Sequence, residues 1–358
     1  MVNIDTGANL PALRNHNAAL LLNLLRQAGE DGVSRLELAE RTGLTPQAVS
    51  KITARLRAEG LAVDAGRRAS TGGKPRTVLR LVPGAAHAIG IHLDRDELTV
   101  VRADLAGTVV AARTGRPLDL GAGAEAVIGA VAREAGDLVD ETVLGVGLAM
   151  PGPLDHATGV PYRVTGFPEW DGFPLRDTLA DRLGLPVVLD KDTNAAAFRV
   201  AVRVGGGQSF AYLHLGTGLG AGLVLGGALY RGPRTGAGEF GHQTVQLDGV
   251  PCGCGGRGCL EALCLAAVAR GDLDEAARVL GVGAANLVGI LDIDRVLLGG
   301  RVITGAARPF VRGVGAVLEE RARREGGDEA VPVELAEGGD HPVAEGAAQL
   351  VLAPVFGL

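Results

Sequence analysis

Apolar residues recur every three or four positions along the first sixty residues, and this period predicts helices. A run of leucines and alanines at this spacing predicts a helix over 12–29, with Gly29 suited to its C-terminal end. Ser34 and Glu37 have the spacing of a capping box, which predicts a short second helix that ends at Gly43. Short helices joined by a turn that contains glycine are typical of a helix-turn-helix.

A third helix is predicted to follow at once, and its two sides differ in polarity. Thr45 supplies an N-cap, and Pro46 suits the first helical position. Val49, Ile52 and Leu56 share one side, which we expect to pack against the other helices. We expect the opposite side to enter the major groove of DNA. The polar residues on that side are Gln47, Ser50, Lys51 and Arg55.

Two strands, at about 61–66 and 76–82, are predicted after the third helix. The loop between them carries Lys74 and Arg76, which we expect to lie along DNA phosphates or in the minor groove. Residues 1–82 are therefore predicted to form a winged helix-turn-helix DNA-binding domain. The alternative is a three-helix module that binds proteins.

From residue 83 onward the pattern changes to strands that alternate with helices. A meander of three strands opens this body, and single strands and helices follow in turn, which is typical of an α/β fold. The predicted strands are 87–93, 97–104, 108–113, 144–150, 186–192, two within 210–230, and 296–300. The predicted helices are 123–136, 174–183, stretches near 262–291 and 305–324, and 341–352.

Charge separates the two parts of the chain. Its 358 residues are enough for two or three domains, and the net charge is −6. Residues 1–82 hold twelve Lys and Arg against seven Asp and Glu, so the remaining residues are strongly acidic. A basic domain on an acidic body favours a polyanionic partner, although a solvated basic surface would give the same count.

No secretory signal and no apolar run long enough to span a membrane is visible, so we expect a cytoplasmic protein. In that compartment clustered cysteines favour metal binding or catalysis over disulfides. His242, Cys252, Cys254 and Cys259 form the pattern H-x9-C-x-C-x4-C, which predicts one structural, tetrahedral zinc ion. A redox pair and chance clustering are the alternatives. Cys264 is expected to be a core residue.

Five motifs of the body resemble those of the ROK family of bacterial repressors and sugar kinases. They are GEFGHQTVQLDGVPCGCGGRGCLE (238–261), PGPLDHATG (151–159), DKDTNAAA (190–197), LGTGLGAG (215–222) and LLGG (297–300). The resemblance implies a two-lobed, actin-like (ribonuclease H-like) ATPase fold for residues 83–358. Lobe one would hold about 83–190 and the C-terminal helix 341–354, and lobe two would hold about 191–340. The preceding helix-turn-helix resembles that of the repressor branch.

The resemblance also implies a sugar site. Glu239, His242 and Glu261 match family positions that hydrogen-bond sugar hydroxyls. Asp192 matches the catalytic base of the kinases. Lys191 stands where the family usually has a sugar-contacting asparagine. A lysine there favours a phosphorylated or acidic sugar, unless its side chain points away from the site, which is the interpretation we prefer.

Two departures argue against catalysis. The kinases carry D-x-G-G-T between the first two strands, where glycines let the backbone approach ATP phosphates; the matching run here is HLDRD. This run has His92, Asp94, Arg95 and Asp96, so two side chains replace the glycines and new carboxylates would face the anionic phosphates. The segment between Glu261 and Val296 is also short for the family, which implies a trimmed second lobe with an altered nucleotide cleft and altered oligomer contacts.

Taken together, these features predict a sugar-responsive, DNA-binding transcriptional regulator, a repressor of carbohydrate genes, with a catalytically inactive kinase-like sensor. The predicted partners are operator DNA, a sugar or sugar phosphate and a second copy of the chain, in a homodimer or homotetramer. The alternative is an ATP-dependent sugar kinase with a regulatory DNA-binding head. A regulator controlled by a protein partner is a third hypothesis.

Overall fold

The computed structural model describes residues 10–70, 73–164, 167–327 and 329–358, with side chains from residue 16 onward except those of 67–76. Within these residues no helix is both long and apolar enough to cross a membrane.

Three helices and a small antiparallel sheet form the N-terminal part. The helices are α1 (Leu10–Ala28), α2 (Arg35–Thr42) and α3 (Pro46–Ala58), and the strands are β1 (Val33–Ser34), β2 (Ala62–Ser70) and β3 (Gly73–Leu81). The predicted capping box is present, since the Ser34 hydroxyl accepts from the Glu37 N–H and the Glu37 carboxylate accepts from the Ser34 N–H. Thr45 caps α3 as predicted. Strand β1 was not predicted, because a two-residue strand has no detectable period; it pairs with β3.

Two five-stranded sheets form the body. The first lobe contains β4 (His87–Leu93), β5 (Glu97–Asp104), β6 (Val109–Pro117), α4 (Ala124–Gly136), β7 (Val143–Met150), the short β8 (Leu154–Asp155) and β9 (Val160–Pro161), α5 (Leu175–Leu183) and β10 (Val187–Lys191). The second contains α6 (Asp192–Val204), β11 (Phe210–Leu215), β12 (Leu219–Leu225), β13 (Ala228–Tyr230), α7 (Leu260–Ala269), α8 (Leu273–Leu291), β14 (Arg295–Gly299), α9 (Arg301–Gly305), α10 (Ala307–Glu325) and β15 (Val333–Leu335). Helix α11 (Pro342–Leu352) follows.

The two sheets have the same connectivity. Their strand orders are β10-β7-β4-β5-β6 and β13-β12-β11-β14-β15. In each, the first three strands are antiparallel neighbours and the last two are parallel additions on the other side of the first strand. The predicted strand 186–192 ends at Lys191 instead, and the unpredicted helix α6 begins at the next residue. No loop separates these two elements, so no turn residues marked the change.

Helices α6 and α11 lie between the sheets, and glycines allow their close approach. A Cβ at Gly90 would lie 1.9 Å from the Ala344 carbonyl oxygen of α11, and one at Gly222 would lie 2.2 Å from the Thr193 carbonyl oxygen of α6. The helices also meet each other through a buried ion pair, with 2.6 Å between Arg199 Nε and Glu345 Oε2.

The N-terminal part and the first lobe share one hydrophobic cluster. Leucines of α1, α2 and α3 pack in it together with Ala88 of β4 and with Leu352 and Phe356 at the end of the chain. The Arg26 guanidinium also lies over the Phe356 ring, 5.2 Å from its centroid. The hydrophobic core is therefore continuous from α1 to the C-terminal end of α11.

Candidate functional site

A cavity of about 70 Å³ lies between the two lobes, at the carboxyl end of β10. All five residues predicted to contact a sugar line it: Lys191, Asp192, Glu239, His242 and Glu261. They come from the end of β10, the start of α6, the loop before the cysteine cluster and the start of α7. The fold therefore brings together residues that are up to seventy positions apart in the chain.

Asp190 fixes the junction between β10 and α6. This carboxylate is buried and accepts hydrogen bonds from the Lys191 backbone N–H (2.8 Å) and the Asn194 side chain (2.7 Å). Arg231 of the second lobe pairs with its other oxygen at 2.7 Å. These three donors satisfy a buried charge and hold Asp192 at the edge of the cavity. The run DKDTN belongs to one of the ROK motifs, but no pattern in the sequence predicted this role for Asp190.

Lys191 does not point away from the cavity, so the interpretation preferred from the sequence is wrong. Its side chain is 3 % exposed, and its ammonium lies 3.1 Å from Glu239 Oε1. The ammonium also donates to the Ala237 carbonyl. These partners are needed because burying an unpaired ammonium inside a protein has a large free-energy cost. Lys191 therefore orients Glu239 and neutralises its charge.

Asp192 and Glu261 each retain acceptor capacity toward the cavity. Asp192 Oδ1 accepts from the Thr193 N–H at 2.6 Å, and Glu261 Oε2 accepts from the Leu219 N–H at 2.8 Å. A carboxylate accepts about four hydrogen bonds in total. Both groups can therefore accept from the hydroxyls of a ligand in the cavity.

The HLDRD run forms the turn between β4 and β5, and two of its side chains bridge the lobes. The Thr217 hydroxyl, in the turn between β11 and β12, donates to Asp94 Oδ1 at 3.0 Å. Arg301, at the start of α9, pairs with Asp96 at 2.9 Å. Neither Thr217 nor Arg301 was singled out from the sequence, because nothing local predicts a partner some 120 to 205 residues away.

A second cavity, of about 440 Å³, lies beyond this turn and shares Asp94 and His214 with the first. Three carboxylates line it, from Asp94, Glu97 and Asp340, against one guanidinium, from Arg301. Burial raises the pKa of Asp94, but neighbouring His92 and two hydrogen bonds outweigh burial, so the pKa lies below its ordinary value. Asp94 is therefore anionic at neutral pH.

His242, Cys252, Cys254 and Cys259 come together as the sequence predicted. Their ligand atoms all lie within 4.8 Å of one another. The Sγ atoms of Cys254 and Cys259 are 3.8 Å apart, and Cys252 Sγ lies 3.7 Å from His242 Nδ1. A tetrahedral ion with metal–sulfur bonds of about 2.3 Å places its sulfur ligands about 3.8 Å apart. The group therefore has the size and the donors of a tetrahedral metal site.

Cys264 lies outside this group and is fully buried in the core of the second lobe, as expected. Its thiol donates to the Ala276 carbonyl at 3.6 Å, and burial raises its pKa to about 12.

Helix α3 exposes the polar face that the sequence predicted. Val49 and Leu56 are buried, whereas all four predicted contact residues are exposed: Gln47, Ser50, Lys51 and Arg55. Arg55 forms an exposed ion pair with Glu59 at 3.6 Å, which leaves its guanidinium accessible. Lys74 and Arg76 belong to strand β3, but their side chains lie outside the described residues.

The family of this chain follows from its similarity to known proteins. The sequence profile of the ROK family matches residues 88–270, about half of the chain. The chain belongs to the ROK family. A winged helix-turn-helix DNA-binding profile matches residues 15–62. Together these matches confirm the predicted fold class, a winged helix-turn-helix followed by an actin-like, kinase-fold ROK body.

Named ROK relatives include both repressors and kinases. A putative xylose repressor of Caldicellulosiruptor sp. (strain Rt8B.4) is 27% identical over 318 residues, which cover 75% of this chain and 79% of the relative. The crystal structure of a ROK hexokinase from Thermus thermophilus is 31% identical, with a TM-score of 0.60, and covers 74% of this chain and 97% of its own. A ROK transcriptional regulator, described as a homolog of the E. coli MLC protein, is only 19% identical but reaches a TM-score of 0.77 over 96% of this chain and 98% of its own.

Proposed function

We propose that this ROK protein is a sugar-responsive transcriptional repressor, with residues 1–82 binding operator DNA and residues 83–358 sensing the sugar. One observation carries the proposal: a winged helix-turn-helix with an exposed polar helix shares a hydrophobic core with a two-lobed, sugar-kinase-like body. The names of the repressor relatives support the same function. The cytoplasm stays the predicted location.

DNA recognition is assigned to α3 and the β2–β3 wing. Gln47, Ser50 and Lys51 lie on the exposed face of the first turns of α3, where a recognition helix meets base edges in the major groove. Arg55, one turn further on, is placed to contact a phosphate. Lys74 and Arg76 of the wing stay predicted phosphate or minor-groove contacts. A palindromic operator read by a homodimer or homotetramer is expected from the same arrangement.

The sugar signal would reach the DNA-binding part through α6 and α11. Helix α6 starts at Asp192 in the cavity and packs on α11, where a Cβ at Gly346 would lie 1.9 Å from the Ala195 carbonyl oxygen. The residues after α11 pack on α1 through Phe356. A sugar that binds one lobe arrangement more tightly than the other would move these packed helices as a unit.

The body is proposed to lack kinase activity. Phosphoryl transfer needs the ATP phosphates to be positioned and neutralised, and the turn that would cradle them carries Asp94 and Asp96. Both carboxylates already bridge the lobes. Asp192 would then only accept a hydrogen bond from a sugar hydroxyl. A coupled ATP-consumption assay with a panel of sugars should show no turnover, and sugar-dependent turnover would establish the kinase alternative.

Zinc is the metal proposed for the group of three cysteines and His242, because thiolate and imidazole donors in a tetrahedron suit it best. The ion would be structural. It would hold His242 and the loop before Glu261 in place, and so would orient two of the sugar-contacting residues.

The test is a fluorescence-anisotropy titration against the DNA upstream of this gene, at fixed salt, with and without a panel of free and phosphorylated sugars. We expect tight binding that one sugar alters. Binding that only a cell extract alters would replace the sugar with a protein partner. No specific binding to this or to selected DNA would overturn the repressor.

Two variants sharpen the test. Lys51→Ala should weaken DNA binding and reduce the slope of log affinity against log salt by about one unit. Arg133→Ala removes the same charge from α4 of the body and should leave both quantities unchanged. Phe356→Leu should leave sugar and DNA binding within twofold of wild type but weaken the response of one to the other.

A further inference from the structure

Arg95 is a half-buried cation of the candidate sugar site whose side chain has no hydrogen-bond or ion-pair partner among the described residues. It occupies the middle of the turn between β4 and β5, and its side chain lines the cavity. Its Nε is buried without a hydrogen-bond partner, and within the residues the structure describes its guanidinium joins no ion pair. The guanidinium lies over the Phe167 ring, with Arg95 Cζ 5.9 Å from the ring centroid.

The other cation of the cavity, Lys191, already has protein partners. Its ammonium donates to Glu239 and to the Ala237 carbonyl, so two of its three donors are used and the Glu239 carboxylate offsets its charge. Asp94 Oδ1 accepts two hydrogen bonds. One comes from the Arg95 N–H within the turn, at 2.7 Å, and the other comes from the Thr217 hydroxyl across the cleft. Of the two arginine and lysine cations that line the cavity, Arg95 is the one whose charge no described carboxylate offsets.

The position of the guanidinium relative to the hydroxyl acceptors is also defined. A Cβ at Gly218 would lie 3.8 Å from Arg95 Nη2 and 2.9 Å from Glu261 Oε2, so the two groups flank the same glycine. Asp192 lines the same cavity. One ligand can therefore give its hydroxyls to the carboxylates and an anionic group to the guanidinium.

We infer that Arg95 selects an effector that carries an anionic substituent, a phosphate or carboxylate on the sugar. This inference rests on the proposed sugar site and names the class of its ligand. A guanidinium presents a planar fork of donors that matches the oxygens of phosphate and carboxylate, and such charge-assisted pairs are strong. In the sequence, Lys191 was the residue that suggested a phosphorylated or acidic sugar. In the structure, we assign that preference to Arg95 instead.

The experiment is isothermal titration calorimetry on the full chain, without DNA, using matched pairs of ligands. Glucose, N-acetylglucosamine and fructose are each compared with their 6-phosphates, and glucose also with gluconate and glucuronate. We expect one anionic member to bind at least tenfold more tightly than its neutral counterpart. Preference for a phosphate over a carboxylate, or the reverse, identifies the source of the anion.

Variants separate Arg95 from a general charge effect. Arg95→Gln should weaken the anionic sugar about tenfold or more, as expected for a lost charge-assisted hydrogen bond, and change the neutral sugar less than twofold. Arg95→Lys should recover part of the loss. The matched control is Arg234→Gln, an exposed arginine in the loop before Glu239 that does not line the cavity.

The outcomes distinguish this inference from the proposed function. A neutral sugar that binds as tightly as its anionic counterparts, in wild type and in Arg95→Gln alike, overturns the role of Arg95 and leaves the sugar-responsive repressor standing. If no sugar of either kind binds while operator DNA does, the sugar site itself is wrong and the inference falls with it.

Discussion

The turns between the first two strands of the two sheets occupy equivalent positions, but they are built differently. In the first lobe, β4 and β5 are joined through Asp94, Arg95 and Asp96, whose side chains reach into the cleft or across it. In the second lobe, β11 and β12 are joined through the glycine-flanked Thr217. The two sheets therefore share one topology but use this turn differently: the first turn presents charged side chains, whereas the second is mostly bare backbone around one bridging hydroxyl, that of Thr217.

The supports of the two turns differ accordingly. The second turn rests on the segments around His242 and the three clustered cysteines, since Glu261 accepts from the Leu219 N–H and a Cβ at Gly241 would lie 2.1 Å from the Leu219 carbonyl oxygen. The first turn is held by Thr217 and Arg301 of the other lobe. Loss of a metal from this group should therefore act directly on the second turn and reach the first only through the Thr217 hydroxyl.

The largest effect is expected from removal of a metal ligand. Cys259→Ser should lose the ion and lower the free energy of unfolding by about 4 kcal/mol or more, because a metal site organises the loop around it. Hydrogen exchange should accelerate at 216–222 and 252–262 and change little at 90–100. Metal content by mass spectrometry checks the cause.

Cys264→Ala is the matched control, since this buried cysteine lies outside the metal group. It should keep the full metal content. Equal acceleration of exchange at both turns in Cys259→Ser would contradict the difference in support.

The next prediction concerns a feature that both lobes share, the close packing of a helix against a glycine of the sheet. Gly90→Ala and Gly222→Ala each place a Cβ against the backbone of a helix between the sheets, and each should cost about 2–3 kcal/mol of unfolding free energy. Gly315→Ala, in α10 with no atom within 4 Å of its added Cβ, should instead stabilise the protein by up to about 1 kcal/mol. Denaturant unfolding measures all three, and a small cost at 90 or 222 would mean that the helices are not tightly packed there.

A third experiment introduces glycines into the first turn, so that it resembles the glycine-containing second turn. The combined change His92→Asp, Asp94→Gly and Arg95→Gly removes two of the side chains at the phosphate position and restores the Asp and the two glycines of the family pattern. ATP affinity should rise at least tenfold, about 1.4 kcal/mol, measured by calorimetry. The matched change Thr217→Ser keeps the lobe-bridging hydroxyl and should leave ATP affinity unchanged. If the triple variant binds ATP no better than wild type, the turn is not what excludes the nucleotide.

The smallest effect is expected for the exposed bridge between Asp96 and Arg301. Both side chains are about half exposed, so water and salt screen their attraction. A double-mutant cycle with Asp96→Asn and Arg301→Gln should give a coupling free energy below about 1 kcal/mol, which falls further at high salt. A coupling of several kcal/mol that ignores salt would show instead that this pair holds the lobes together.

Local patterns in the sequence determined much of this protein. Caps such as Ser34 and Thr45 and the apolar period of α3 fixed the helices of the DNA-binding part, because these signals act within one turn of a helix. The spacing of His242 and the three cysteines sufficed for the metal group, since its ligands lie within eighteen residues. The ROK motifs named the fold and five of the residues that line the cavity.

Only the tertiary structure decided which charges are free. Lys191 looked like the unusual cation of the sugar site, yet its burial against Glu239 leaves Arg95 with the open donors. The bridges from Asp94 to Thr217 and from Asp96 to Arg301, like the core shared by α1 and Phe356, join residues more than a hundred positions apart. The pairing of a charge depends on which distant groups the folded chain brings within a few ångströms, and no local period or spacing records that distance.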